Sequence, residues 1–376
     1  MGNDSVIYIR TDGNSNIATG HLVRCLCIAQ ALENLGKTVC FLVSDKDSKT
    51  LLEDLAESIF PDYSSYSTKL LETAVYDNLE LEIDEMVEFL GSSHNDFKSN
   101  TLPNTSISDE SEKNIPTVLI DSYFVTKDYL FSLRKIAKIA YMDDLRAFDY
   151  DVDMVINYDV IPKSKEEEYR QAYTNADITL LGAQYTPLRN QFQNQKVVMR
   201  EKIRNVLITT GGSDPYHFTE SLVFSLLTQN IDVNLHVVVG RLFKNTTALK
   251  SLVGKYPQVH LYHNVNNMAE LMKQCDFAVS AAGTTLYELC ALGIPAISFT
   301  MADNQIIMAE TFKETQAVPY AGDIRDAGNF NVAECISNHL YFLMKDTDMR
   351  KVQQEKMRSL VDGNGAAKIA IELCRL

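Results

Sequence analysis

The chain has 376 residues, 45% hydrophobic and 23% charged, with a formal net charge of −15. That length suits two domains of average size, each with enough apolar residues for a core. No apolar run approaches the roughly 18–20 residues of a membrane span. The polar start Met1–Asp4 lacks the basic and apolar segments of a signal peptide, so a cytoplasmic protein with no membrane partner is expected. The negative charge is local: residues 53–114 hold fifteen Asp/Glu and three Lys, a net of −12, which leaves −3 for the rest. A chain so charged is not built to bind phosphate backbones, so nucleic acid is not an expected partner. The seven cysteines are odd in number and form no CxxC pair, and they read as free thiols. His21, Cys25 and Cys27 have the wrong spacing for a closed zinc site. No metal and no cofactor is implied.

Strand-like and helix-like runs alternate along the chain. Val6–Arg10 reads as a strand, Ala18–Gly36 as a helix ended by its glycine, and Thr38–Ser44 as a second strand. Gly91–Ile115, rich in Ser, Asn, Thr and Asp, reads as a surface loop or partly disordered insertion. Thr117–Asp121 is the next strand and Tyr129–Ala137 a helix, followed by apolar runs at Ile139–Met142, Met154–Asn157 and Ile178–Leu181. Polar Asn190–Ile203 interrupts the pattern and places a domain boundary near residue 195. The alternation then restarts. Strands are expected at Asn205–Thr210, Val233–Val239, His260–Tyr262, Phe277–Ser280 and Ala296–Thr300. Helices are expected at Phe218–Gln229, Met268–Cys275 and Thr285–Leu292. The tail Asp346–Leu376 reads as two helical pieces broken at Asp362–Gly365, and its last piece fits either domain. Alternation of this kind means βαβ units and parallel sheets. The predicted fold is therefore α/β, with two Rossmann-like domains, 1–195 and 196–376, facing across a cleft.

Four clusters carry chemistry. Arg10–Asn14 and Thr19–Cys25 follow the first strand and open the first helix, where free N–H groups and the positive dipole end suit a phosphate. Gly20 lets a ligand approach the backbone. His21 falls in the first helical turn beside Asp12 and Arg24. A dipole of that sign favours neutral imidazole, the form a general base needs; the alternative is a His that only bonds a neighbouring loop. The spacing is not the dinucleotide fingerprint, so NAD and FAD are not implied. Gly211, Gly212 and Ser213 follow the first strand of the second half and predict a compact anion-cradling turn, against the alternative of a plain glycine turn with Asp214-Pro215 capping the next helix. Gly283, Thr284 and Thr285 open a helix on which Glu288 could accept from ribose hydroxyls, or close a capping box with Thr285. Asp303, Asn304 and Gln305 follow a strand and could read sugar hydroxyls or an amide, or simply form a helix N-cap loop.

In this order the clusters resemble the hydrolases of pseudaminic acid biosynthesis, enzymes of the glycosyltransferase-B superfamily. The resemblance rests on Arg10–Asn14, Gly20–Cys25, Asp121-Ser122-Tyr123, Met142–Leu145, Leu181–Arg189, Gly211–Pro215 and the Glu288 and Asn304 segments. It implies hydrolysis of a UDP-linked 2,4-diacetamido-2,4,6-trideoxy sugar at the anomeric C–O bond with inversion, without a metal. It implies that Gly211, Gly212, Ser213, Gly283, Thr284, Thr285 and Glu288 hold UDP. His21 would activate water, and Tyr123 and Asn304 would line the sugar side. The acidic insertion has no counterpart in the resemblance. Two other functions remain open. One is a glycosyltransferase of the same fold, similar to the muramyl N-acetylglucosaminyltransferase. The acidity of the first domain counts against a membrane-linked acceptor. The other is a non-catalytic sugar-nucleotide-binding protein, for which His21 would be superfluous. The expected partner is a small UDP-sugar, and the expected state a monomer or weak homodimer.

Overall fold

The structure, a computed structural model, describes residues 6–14, 19–60, 66–99, 115–229, 231–244 and 246–376, without side chains for 93–99. The chain divides into two compact units. The first comprises Met1–Tyr158, Ser164–Pro187 and Gly365–Leu376, and the second Asp159–Lys163 and Leu188–Asn364.

The first unit runs β1 (Val6–Thr11), α1 (Gly20–Asn34), β2 (Thr38–Val43), α2 (Lys46–Ile59), β3 (Tyr66–Leu70), α3 (Ile83–Ser99), β4 (Thr117–Asp121), α4 (Lys127–Arg134), β5 (Lys138–Met142), β6 (Met154–Asn157), α5 (Glu166–Ala172) and β7 (Ile178–Leu181). Its strands form a parallel sheet in the order β3-β2-β1-β4-β5-β6-β7. β1, β2 and β4 are nearly continuous apolar runs because the sheet is covered on both faces. Ile7, Ile9, Val39 and Leu119 pack under α1 and α2. Tyr8, Leu42, Val118 and Ile120 pack on the other face with α3 and α4.

The second unit repeats the plan: β8 (Asn205–Thr209), α6 (Phe218–Thr228), β9 (Asn234–Val239), α7 (Thr247–Lys255), β10 (Val259–His263), α8 (Met268–Gln274), β11 (Phe277–Ala281), α9 (Thr285–Leu292), β12 (Ala296–Thr300), α10 (Asp303–Glu314), β13 (Tyr320–Asp323), α11 (Ile324–Lys345) and α12 (Thr347–Leu360). The sheet order is β10-β9-β8-β11-β12-β13, again parallel. Val206, Ile208, Val237, Val279 and Phe299 form one core with α6 and α11. Among the described residues no helix is long and apolar enough to cross a membrane.

Three differences from the sequence reading have physical causes. The boundary expected near 195 lies at 187/188. Polar Asn190–Ile203 is not a spacer, since Phe192 and Ile203 are buried within it. The last helix, α13 (Gly365–Leu373), belongs to the first unit and not to the 196–376 half. Its apolar face, Ala366, Ile369, Ala370 and Leu373, completes the core under α1. Residues 91–99 continue α3 and are not a loop, because Met86 and Leu90, buried four residues apart, anchor the helix upstream. The rest of the acidic stretch, 100–114, lies outside the described residues.

Gly365 allows α13 to seat. A Cβ there would lie 2.2 Å from the Thr186 carbonyl oxygen and 2.5 Å from the Tyr185 carbonyl carbon. Gly365→Ala should cost roughly 1–3 kcal/mol of stability in urea denaturation, the usual cost of overpacking. Gly254→Ala in α7, where a Cβ meets nothing within 4 Å, should be neutral or slightly stabilising.

Candidate functional site

In the first sheet β1 and β4 are neighbours, but their connections leave in opposite directions, to β2 and to β5. The carboxyl ends of such a pair bracket a crevice where ligands bind in open α/β sheets. Thr11 ends β1 and pairs in register with Asp121, which ends β4. The first two turns of α1 supply His21, Arg24 and Cys25, spaced to share one helix face. All three meet the buried Asp121 carboxylate. His21 Nδ1 is 2.7 Å from Oδ1, Arg24 Nε donates to Oδ2 at 2.5 Å and its Nη2 to Oδ1, and Cys25 Sγ lies 3.4 Å from Oδ2. Burial alone would push the Asp121 carboxyl up; the Arg24 guanidinium and His21 overcome this and hold it well below the usual carboxylate range.

An ionised Asp121 decides the His21 tautomer. Two lone pairs 2.7 Å apart would repel, so the proton sits on Nδ1 and is donated to Oδ1. Arg24 Nη2, 2.9 Å from the same Nδ1, then makes a close approach and not a bond. The lone pair of the neutral ring is left on Nε2, and no described residue bonds to that atom. This is the arrangement of a general base oriented by a carboxylate. Tyr123 stands edge-on to the His21 ring, with centroids 4.6 Å apart, and its hydroxyl donates to Asp144 Oδ2 at 3.1 Å.

Other residues singled out from the sequence near His21 hold the framework. Asp12 spends both oxygens inside the protein: Oδ1 accepts from Ser44 N at 2.7 Å and Oδ2 from Arg10 Nη1 at 2.6 Å. Arg10, fully buried, forms a two-pronged pair with Glu82 at 2.6 and 2.7 Å, and the Tyr129 hydroxyl adds a third bond to Glu82. Arg24 is committed to Asp121 and the Tyr158 hydroxyl. Gly20 opens α1 and is exposed, and no described atom lies within 4 Å of where its Cβ would be. Cys25 and His21 both turn to the Asp121 carboxylate. Among the described residues no three His, Cys, Asp or Glu side chains are grouped to hold one.

In the second sheet the equivalent divergence lies between β8 and β11, with β12 next to β11. Gly211-Gly212-Ser213 leave β8, Gly283-Thr284-Thr285 leave β11, and Met301–Gln305 leave β12. Gly211 has φ +82°, the left-handed region that glycine occupies without strain. The Gly211 and Gly212 carbonyls face the turn after β9, where Leu242 N donates to Gly212 O at 2.9 Å. A Cβ on Gly240 would lie 2.3 Å from Gly211 O and 2.4 Å from Gly212 O, so that turn sits directly under the loop. In a planar trans peptide the N–H points opposite to the carbonyl. The Gly212 and Ser213 N–H groups are therefore turned to the outside of the loop, and no described residue accepts from them. Gly283, Thr284 and Thr285 N–H groups at the start of α9 also lack a described acceptor. Two sets of orphan donors thus lie on adjacent strand ends, and open space stands over Gly212 and Gly283. That arrangement suits a diphosphate.

The remaining predicted residues fall into place around these loops. Asp214 caps α6, accepting from Phe218 N and Thr219 N at 2.9 and 2.8 Å. Glu288 does not cap Thr285; Arg189 Nη2 donates to its Oε1 at 2.8 Å. Burial pushes the Glu288 carboxyl up, with Arg189 opposing. Asn304 is exposed, whereas the Gln305 side-chain oxygen accepts from Met301 N at 2.9 Å and so steadies its own loop. Asp121, Arg189 and Asp144 were visible in the sequence only as members of the resembling segments, since nothing local marks their partners.

The Asp121 cluster carries a pH signature. A carboxyl whose folded value is depressed stabilises the fold above its unfolded value and loses that contribution as pH falls through the folded one. Here that loss sets in below the ordinary aspartate value of 3.8. Wild-type stability should fall more steeply than that of Asp121→Asn as pH drops below about 4, measured by urea denaturation at successive pH values. Parallel curves would remove Asp121 from the acid response.

Residues 186–321 match the glycosyltransferase family 28 C-terminal domain. The chain is 28% identical to an uncharacterized protein of Methanocaldococcus jannaschii over 77% of this chain and 54% of that protein. It is 29% identical to the spore coat polysaccharide biosynthesis protein SpsG of Bacillus subtilis, over 50% of this chain and 56% of that one. Over 35% of this chain and 24% of the other, it is 33% identical to the pseudaminic acid cytidylyltransferase and UDP-2,4-diacetamido-2,4,6-trideoxy-β-L-altropyranose hydrolase of Helicobacter pylori. The chain thus spans about half the length of the first two relatives and a quarter of the third. Among solved structures, MurG of Acinetobacter baumannii superposes with a TM-score of 0.63 at 14% identity, covering 99% of this chain and 100% of MurG. Two parallel α/β sheets of matching order, the family 28 domain and the likeness to MurG lead to one conclusion: the chain has the glycosyltransferase-B fold and is related, over part of its length, to the two-activity cytidylyltransferase and hydrolase of H. pylori.

Proposed function

We propose that the protein hydrolyses a UDP-linked 2,4-diacetamido-2,4,6-trideoxy sugar, releasing UDP and free sugar with inversion at the anomeric carbon. The observation that carries this reading is the His21–Asp121 pair, which engages Nδ1 and leaves Nε2 for a substrate water. A protein that only bound sugar nucleotides would have no use for it. Nε2 takes a proton from water, and the water oxygen attacks C1. The C1–O bond breaks, and its electron pair leaves with the β-phosphate of UDP. Asp121 stabilises the imidazolium that forms. The orphan N–H groups at Gly212–Ser213 and Gly283–Thr285 take up the charge on the leaving diphosphate, already oriented before the reaction. Glu288, held by Arg189, accepts from the ribose, and Tyr123 and Asn304 belong to the sugar side. The name of the H. pylori relative supports the substrate class.

A second reading is favoured by the family 28 match: a glycosyltransferase in which His21 deprotonates a sugar hydroxyl in place of water. The two share the nucleotide site and differ in the acceptor.

NMR of the protein with UDP-2,4-diacetamido-2,4,6-trideoxy-β-L-altropyranose in water should show release of UDP and free sugar. Release that needs an added sugar acceptor would favour the transferase. His21→Ala should abolish turnover with the UDP dissociation constant nearly unchanged. A loss of UDP affinity matching the loss of rate would argue against a base. Glu288→Ala should weaken UDP binding by roughly 1–3 kcal/mol, the cost of a lost partner in a buried polar pair, read by calorimetry.

A further inference from the structure

Asp143 and Asp144 are neighbours on the loop after β5, yet their surroundings are opposite. Asp143 is buried and saturated. Its Oδ1 accepts from Leu145 N at 3.0 Å and the Tyr150 hydroxyl at 2.9 Å, and its Oδ2 accepts from Arg146 N at 2.9 Å and the Tyr173 hydroxyl at 2.7 Å. This carboxylate builds the loop. The Asp144 side chain retains 31% exposure. Its Oδ2 accepts from Tyr123 and lies 3.9 Å from Arg24 Nη1, and no described residue bonds to its Oδ1. Burial pushes the Asp144 carboxyl up, and Arg24 opposes the shift. The nearby carboxylates Asp121 and Asp143 push it the same way as burial.

Oδ1 is not among the buried polar atoms without a partner, so it faces solvent, and a ligand donor can take the place of water there. The neighbourhood already holds the donors the protein supplies, Tyr123 and Arg24, and both lie on the Oδ2 side. What Oδ1 can take is a donor brought by a ligand. Tyr123 joins this carboxylate to the reacting centre, because its ring packs against His21 while its hydroxyl holds Asp144. A sugar at His21 therefore lies within reach of the same tyrosine.

We propose that Asp144 is a specificity-determining residue of the His21 site, accepting on Oδ1 a hydrogen bond from an acetamido N–H of the substrate's sugar. The inference rests on the UDP-sugar reading and adds a residue to it. A site with a charged acceptor at this point favours sugars that present an N–H there and rejects analogues that present only acceptors.

Asp144→Asn separates this role from simple support of Tyr123. The amide keeps an oxygen for the Tyr123 hydroxyl, and the nearby Arg24 charge favours that orientation, so the amide NH2 faces the ligand, where a donor meets a donor. The test is titration of the full chain with UDP and with UDP-2,4-diacetamido-2,4,6-trideoxy-β-L-altropyranose, the latter with His21→Ala in the background to prevent turnover. Asp144→Asn should weaken UDP-sugar binding roughly 10–100-fold, the range of a hydrogen bond to a charged group, and leave UDP binding unchanged. In the active protein, KM should rise more than kcat falls. Unchanged UDP-sugar binding in Asp144→Asn, or an equal loss for UDP, overturns the proposal and leaves the reading intact. If the parent protein binds neither UDP nor the UDP-sugar, the functional reading falls and this inference falls with it.

Discussion

One buried carboxylate organises the first unit's functional end. Asp121 closes β4 in a place where a lone charge would cost several kcal/mol. Arg24 neutralises it with a two-pronged contact, and His21 and Cys25 complete its shell. Because all three partners come from the first two turns of α1, the pairing fixes how that helix sits on the strand ends. Because Asp121 stays ionised, it fixes which ring nitrogen of His21 carries the proton. Structure and chemistry thus depend on one charge, and neither Arg24 nor Asp121 need touch a ligand to matter.

A second buried ion network stands behind the first. Arg10, within β1, joins Asp12 to Glu82 in the segment before α3. Asp12 in turn holds Ser44 N after β2. The loops after β1 and β2 are therefore tied through buried charges. In the second unit the same task falls to uncharged backbone. The turn at Gly240 supports the Gly211–Gly212 carbonyls and so aims the opposite N–H groups outward. One unit orients an imidazole with ions, and the other orients backbone donors by peptide geometry.

Much of the fold was legible. Continuous apolar runs gave β1, β4, β8 and β11, and the Gly211-Gly212 pair and the Gly20-His21 turn marked the strand ends. What was missed has a common cause. α2 and α3 carry so many acidic residues that their few buried positions, such as Leu52, Leu55, Met86 and Leu90, are diluted. Asp12 and Arg24 were read as ligand-facing because residue type and place allow it; Asp12 is engaged by its near neighbour Arg10, whereas the Arg24 partner, Asp121, lies 97 residues away and could be assigned only once the strands were paired. Arg189 and Glu288, 99 residues apart, are hidden in the same way. Local pattern reveals what a residue can do. It does not reveal which distant charge has already engaged it.

The return of α13 to the first unit has a consequence for how the molecule is made. Residues 188–364 form one uninterrupted stretch bounded by segments of the other unit. Emerging from the ribosome, the second unit has all its strands before the first has its last helix. The core under α1, including Leu22 and Leu26, stays uncovered on the side that Ile369 and Leu373 later fill. The unit translated first is thus the one completed last, and its exposed apolar face during that interval is the stage at which the chain is most open to aggregation.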